Sequence, residues 1–105
     1  MFIANGTINY SGDAVLGSSG FTVERPSTGL YLLTHNLGTK EFSVSTSQAG
    51  GDQSNAIHIL HEKHSDNQVW FYTRVTHNSS DIDTEFDFTF ISYKKCRLLQ
   101  LFCRF

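Results

Sequence analysis

The chain has 105 residues, of which 39% are hydrophobic and 17% charged, with ten acids, eight bases, nine phenylalanines and one proline. That length holds one domain with one modest core. No run approaches the ~18 apolar residues of a membrane-crossing helix, so no membrane insertion is expected. The charge is uneven: residues 1–93 carry all ten acids and four bases, a net −6, whereas residues 94–105 carry Lys94, Lys95, Arg97 and Arg104, a net +4. An acidic body argues against nucleic acid as the main partner.

The first residues lack a basic region followed by a long apolar one, so no signal peptide is expected. Cys96 and Cys103, the two cysteines, lie in the last ten residues and cannot staple the body, which suits reduced thiols.

Strand signals recur at short intervals, and no part of residues 1–93 sustains an apolar period of 3.6, so the body is expected to be all-β. A first strand is expected over 6–10, then a turn at 11–13, a short apolar patch at 14–16 and a loop over 17–20. Residues 21–25 alternate apolar and polar side chains, 26–29 supply turn residues, and 30–35 resume an apolar run, which together predict a β-hairpin.

The run from Tyr31 to Val44 reads as strand, sharp corner and strand. Asn36 and Gly38 tolerate the positive φ that a tight change of direction needs, and His35 can bond backbone at the bend through its ring nitrogens. The second strand, 41–46, turns Phe42 and Val44 inward. Residues 48–55, with Gly50, Gly51 and Asp52, read as the main mobile loop.

Further along, 56–61 is expected as a strand, 62–67 as a polar turn and 68–76 as the hairpin partner, with another turn at 77–80. Over 81–90, Asp81, Asp83, Glu85 and Asp87 alternate with Ile82, Thr84, Phe86, Phe88 and Phe90, the pattern of a strand with one wet and one packed face. Seven short strands need a second layer to bury their apolar faces. The expected fold is an antiparallel β-sandwich over residues 1–93, the jelly roll being one form it can take, followed by a short C-terminal extension over 94–105.

Two segments resemble domains of tailed-bacteriophage tail fibres and related appendages. One is Gly20-Phe-Thr-Val-Glu-Arg25 with Thr28-Gly-Leu-Tyr31; the other is Thr34-His-Asn-Leu-Gly-Thr39 with Phe42-Ser-Val44. The run from Phe86 to Ile91 is similar to the closing strand of such domains. The resemblance implies a non-enzymatic structural protein of the virion, a homo-oligomer such as a trimer, with other virion proteins and host-surface glycans as partners. It points to a tail fibre or appendage, with capsid decoration or a free carbohydrate-binding module as alternatives. The chain departs from the pattern in beginning almost at its first strand and in running on after its last.

Several constellations have plain structural explanations. His58, His61 and His64 suggest a metal site, but on a strand residues three apart fall on opposite faces, and no cysteine joins them. The four acids of 81–87 mimic the start of a calcium loop, yet Phe86 stands where glycine is required and Ser92 where the bidentate glutamate belongs. An exposed acidic strand face, which would also discourage edge pairing, is the expected reading. No nucleophile elbow, phosphate-binding loop or ordered triad occurs, so no catalytic residue, metal or cofactor is expected.

Two segments carry the binding expectations. Trp70, Tyr72 and Arg74 share one strand face, where they can pack against a second layer or a subunit, or stack on sugar rings while the guanidinium bonds hydroxyls. The extension mixes its four bases with Leu98, Leu99, Leu101, Phe102 and Phe105, too much apolar surface to leave in water at about 25 cal/mol per Å². Arg97, Leu98, Leu99, Leu101, Phe102 and Phe105 are therefore expected to dock, either on their own sandwich or on a partner.

Overall fold

In the computed structural model the described residues are 3–9, 11–12, 15–17, 21–49 and 56–92, with backbone alone for residue 3 and for 15–17. They form eight strands: β1 (Ile3–Ile8), β2 (Val15–Gly17), β3 (Thr22–Ser27), β4 (Leu30–Thr34), β5 (Phe42–Gln48), β6 (Ile57–Ser65), β7 (Gln68–Val75) and β8 (Phe86–Ser92). All pairings are antiparallel, in two four-stranded sheets. Sheet A has the order β2-β1-β8-β5 and sheet B the order β3-β4-β7-β6. The expected antiparallel β-sandwich is the fold. Among the described residues no helix is long and apolar enough to cross a membrane.

Period-two alternation decides which side chains meet between the sheets. Sheet A turns Ala4, Ile8, Phe42, Phe86, Phe88 and Phe90 inward, and sheet B answers with Tyr31, Leu33, Val69 and Phe71. Rings from the two sheets interlock: Phe71 meets Phe86 edge-on at 5.2 Å, and Tyr31 meets Phe86 likewise at 5.5 Å. Within sheet A, Phe42 and Phe90 lie 4.7 Å apart. Each buried phenylalanine contributes about 2 kcal/mol by leaving water, so β8, with three of them, is the energetic spine of its sheet.

The expected hairpin is β3–β4, with a register shift between Glu24 and Ser27. The corner also forms as expected, with Asn36 at φ 58° and Gly38 at φ 73°. It carries the chain from sheet B to sheet A. Leu37 N–H donates to His35 Nδ1 at 3.0 Å, the ring-to-backbone bond the sequence suggested.

Besides small shifts at β2 and at the ends of β3 and β5, three boundaries differ from the sequence reading. The first strand begins at Ile3 and ends at Ile8, with Ala4 and Ile8 facing the core. The run 62–65, expected as turn, is strand: β6 continues through Ser65, and only Asp66 and Asn67 separate it from β7. Polar residues are tolerated there because β6 is an edge strand, where charge costs little and blocks further pairing.

The third difference concerns residues 81–85, which are not strand: β8 starts at Phe86, and the preceding residues cross from sheet B to sheet A. Asp83 turns toward the β3–β4 hairpin instead of solvent, accepting from Gly29 N–H and from the Arg25 guanidinium, both at 2.7 Å. Asp87 accepts from the Thr7 hydroxyl at 2.6 Å on a strand flanked by β1 and β5. The four acids thus form no common wet face and guard no edge. Of the other sequence expectations, the loop read over 48–55 gives Gln48 to β5, while its residues 50–55, like the extension over 94–105, lie outside the described residues.

Candidate functional site

The β7 burial pattern alternates strictly, placing Val69, Phe71, Thr73 and Val75 in the core and Trp70, Tyr72 and Arg74 on the outer face of sheet B. The register fixes their neighbours. Trp70 lies across from Leu32 on β4 and Glu62 on β6, Tyr72 across from Leu30 and Leu60, and Arg74 across from His58. Leu60 is 45% exposed, more than any other large hydrophobic residue among those described.

Several polar groups on this face are engaged. Glu62 accepts from the Tyr72 hydroxyl at 3.4 Å, and burial together with that carboxylate raises the phenol above its ordinary pKa. Arg74 donates to Asp81 at 3.3 Å and its guanidinium stands 5.6 Å from the centre of the Tyr72 ring. His64 meets Trp70 edge-on at 6.0 Å. The stripe expected from the sequence therefore exists as a stripe, but its cation is already paired. Glu62 and His64, rather than Arg74, flank the tryptophan.

Sequence reading missed Leu30, Leu32, Leu60, Glu62 and His64 as parts of this face. The signal for the leucines was present: Leu30-Tyr-Leu-Leu33 is apolar on both sides of the strand, more than a half-solvated strand requires. For Glu62 and His64 there was none, because their segment looks like a turn until it is paired with β7.

The remaining polar clusters serve the scaffold. His35 is buried, its Nδ1 accepting from Leu37, and its ring meets Phe42 and Phe90 edge-on at 5.3 and 5.6 Å. Nε2, which must carry the proton of the neutral ring, has no hydrogen-bond partner among the described residues. Burial lowers the His35 pKa to about 4.

His58 and His64 point to the outer face and His61 to the opposite one, as residues at odd and even spacings on one strand must. His61 is lowered by burial and by Lys63. Among the described residues no group of three or more histidine, cysteine, aspartate or glutamate side chains is placed to hold a metal ion. Asp83 holds the hairpin: the Arg25 hydrogen bond lowers its carboxyl below the ordinary value, and the Tyr31 hydroxyl donates to it at 3.3 Å.

The two outer faces differ in kind. That of sheet A carries Ser43, Ser45, Ser47, Thr89, Asn5 and Asp87 with one exposed isoleucine, Ile91, whereas that of sheet B carries tryptophan, tyrosine and three leucines. Compared with protein-family models, with characterised proteins and with solved structures, the chain matches none.

Proposed function

We propose that this chain is a non-enzymatic structural protein of a bacteriophage virion, a tail-fibre or appendage component that works by being assembled, as a trimer, with other virion proteins. The observation that carries this reading is the outer face of sheet B, where Trp70, Tyr72, Leu60 and Leu32 stand on a rigid sandwich. Aromatic and aliphatic side chains held in register on a sheet suit recognition, because their conformational freedom is already spent. The polar groups that could suggest chemistry, His35, Asn67 and Asp83, are engaged in holding turns and crossovers. The fibre-like hairpin and corner motifs supply the virion setting.

The test is to raise antibodies to the purified chain and apply them to phage particles. Labelling at a tail appendage supports the reading. Particles that lack the chain altogether overturn it, and labelling of the head would move the role to capsid decoration.

A carbohydrate-binding role, on or off a particle, is the second reading, favoured by the Trp70 ring with Glu62 beside it. A pyranose laid on the indole would present hydroxyls to that carboxylate. Glycan-array binding that disappears in Trp70→Ala supports it; an array blank for the wild-type chain removes it.

A further inference from the structure

We propose that two copies of this chain pair through the outer faces of their sheets B, about a two-fold axis that crosses β7 at Tyr72. The inference rests on the reading of this face as a recognition surface and names its partner as a second copy; any three-fold contact is left to other surfaces.

On sheet B, cross-strand register joins Leu30, Leu32, Trp70, Tyr72 and Leu60 into one apolar patch across β4, β7 and β6, and Leu60 is 45% exposed. The outer face of sheet A offers Ile91 alone among serines, Thr89 and Asp87. A single exposed aliphatic side chain is ordinary on a monomer, whereas a joined set of aromatic and aliphatic ones marks a contact.

Charge is ordered along the face in a way that suits self-pairing. The cross-strand row through Trp70 carries acid, with Glu62 on β6 and Glu24 on β3. The row through Tyr72, Leu30 and Leu60 is uncharged, and the row through Arg74 carries the cation, between His58 and Asp81. Turning a copy over about an axis across the strands at Tyr72 lays the uncharged rows on each other. It sets each Trp70 row over the other chain's Arg74 row, so that guanidinium meets indole and Glu62 faces Arg74 and His58. Asp81 engages Nε of Arg74 at 3.3 Å in an exposed contact, and the guanidinium fork has further donors for a second carboxylate. A two-fold axis along the strands, between β4 and β7, would instead oppose Glu24 and Glu62, which charge repulsion disfavours. A two-fold interface requires a self-complementary patch, and this order of acid, apolar and basic rows is one.

Light scattering of the purified chain after size exclusion, from low to high micromolar concentration, reads the pairing. The mass is expected to rise to that of a dimer, or of a hexamer where a three-fold contact also forms. Leu60→Asp is expected to halve whatever mass the wild type reaches, while Ser45→Asp, on the outer face of sheet A, leaves it unchanged. Trp70 is the sole tryptophan, and its quenching by acrylamide is expected to fall as pairs form. Glu62→Arg and Arg74→Glu are each expected to weaken pairing about tenfold, and their combination in one chain to restore most of it. Retained far-UV circular dichroism shows that each variant is folded. A chain that stays monomeric or trimeric throughout overturns the pairing, as does wild-type mass in Leu60→Asp. A doubly charge-reversed chain that pairs no better than the single variants overturns the two-fold orientation. These outcomes concern the isolated chain, so the antibody labelling that tests the virion reading succeeds or fails separately.

Discussion

Asn67 ties the end of the β6–β7 hairpin to Gly38, 29 residues earlier in the chain, through a hydrogen bond of 2.9 Å from the Gly38 N–H to Asn67 Oδ1. The Asn67 carbonyl also accepts from His35 N–H at 2.8 Å, so this residue of a sheet B turn clamps the corner that leads into sheet A. Asn67→Ala removes the side-chain bond but not the main-chain one. A loss of about 1 kcal/mol is expected, as for an ordinary exposed hydrogen bond. Asn67→Asp retains an acceptor and should recover most of the loss. Urea midpoints of the two variants check the point; equal losses would mean that the clamp is not the side chain.

Two glycines with almost the same backbone angle should respond very differently to alanine. Gly29 has φ 71° and Gly38 φ 73°, a region that disfavours any residue with a Cβ by about 1 kcal/mol. At Gly38 a Cβ meets nothing within 4 Å, so that strain is the whole cost. At Gly29 it lies 2.7 Å from the Thr73 carbonyl oxygen and 2.9 Å from the Ile82 nitrogen, both backbone atoms of elements that themselves bond to each other. Gly29→Ala is expected to cost about 3 kcal/mol or more, among the larger single-residue effects. Thermal unfolding of both variants gives the comparison, and similar melting temperatures would refute it.

Side-chain alternation made most of this fold legible. Period two in 21–25, 30–35 and 68–75 fixes which faces are buried, and the positive-φ residues fix the corner. Segments whose hydrogen bonds go to distant partners were not legible. The run 81–85 alternates like a strand, but Asp83 is drawn to the Gly29 N–H and the backbone of Ile82 to Thr73, neither visible without the fold. Glu62, Lys63 and His64 look like turn residues, and only pairing with β7 makes them strand. The same holds for the outer face: Trp70 and Tyr72 are read directly from β7, whereas Glu62 and His64 join them through cross-strand register.

Lys63 closes one side of the sandwich. Its ammonium donates to the Lys40 carbonyl at 2.8 Å and to the Phe42 carbonyl, and it stands 4.7 Å from the centre of the Phe42 ring, joining edge strand β6 to edge strand β5. Lys63→Met keeps an apolar stem over the ring but removes the donor. A loss of about 1.5 kcal/mol is expected, with faster amide exchange in β5 than elsewhere in sheet A. Uniform exchange across the sheet would show that the two edges are held together by packing alone.

Acid should weaken the protein in two steps, the first belonging chiefly to His35, with His61, whose pKa is also lowered by burial and by Lys63, acting in the same direction. Its folded pKa of about 4 lies below the ordinary 6.5, so between those values the unfolded chain binds a proton that the folded chain refuses. Stability therefore falls as pH drops through that window and stops falling from this cause below about 4. A tenfold change in proton affinity is worth about 1.4 kcal/mol, so the step amounts to about 3 kcal/mol. The cause is local: a charged ring would sit among Phe42 and Phe90 and lose the lone pair that accepts from Leu37. The second step belongs to Asp83, whose carboxyl is held below its ordinary 3.8 chiefly by Arg25, and whose contribution is lost as pH falls through that lowered value. Urea midpoints measured from pH 7 to pH 3, with the His35 ring followed by NMR, separate the two. A His35 resonance that titrates near 6.5 in the folded protein would show that the imidazole reaches water and that the acid sensitivity lies elsewhere.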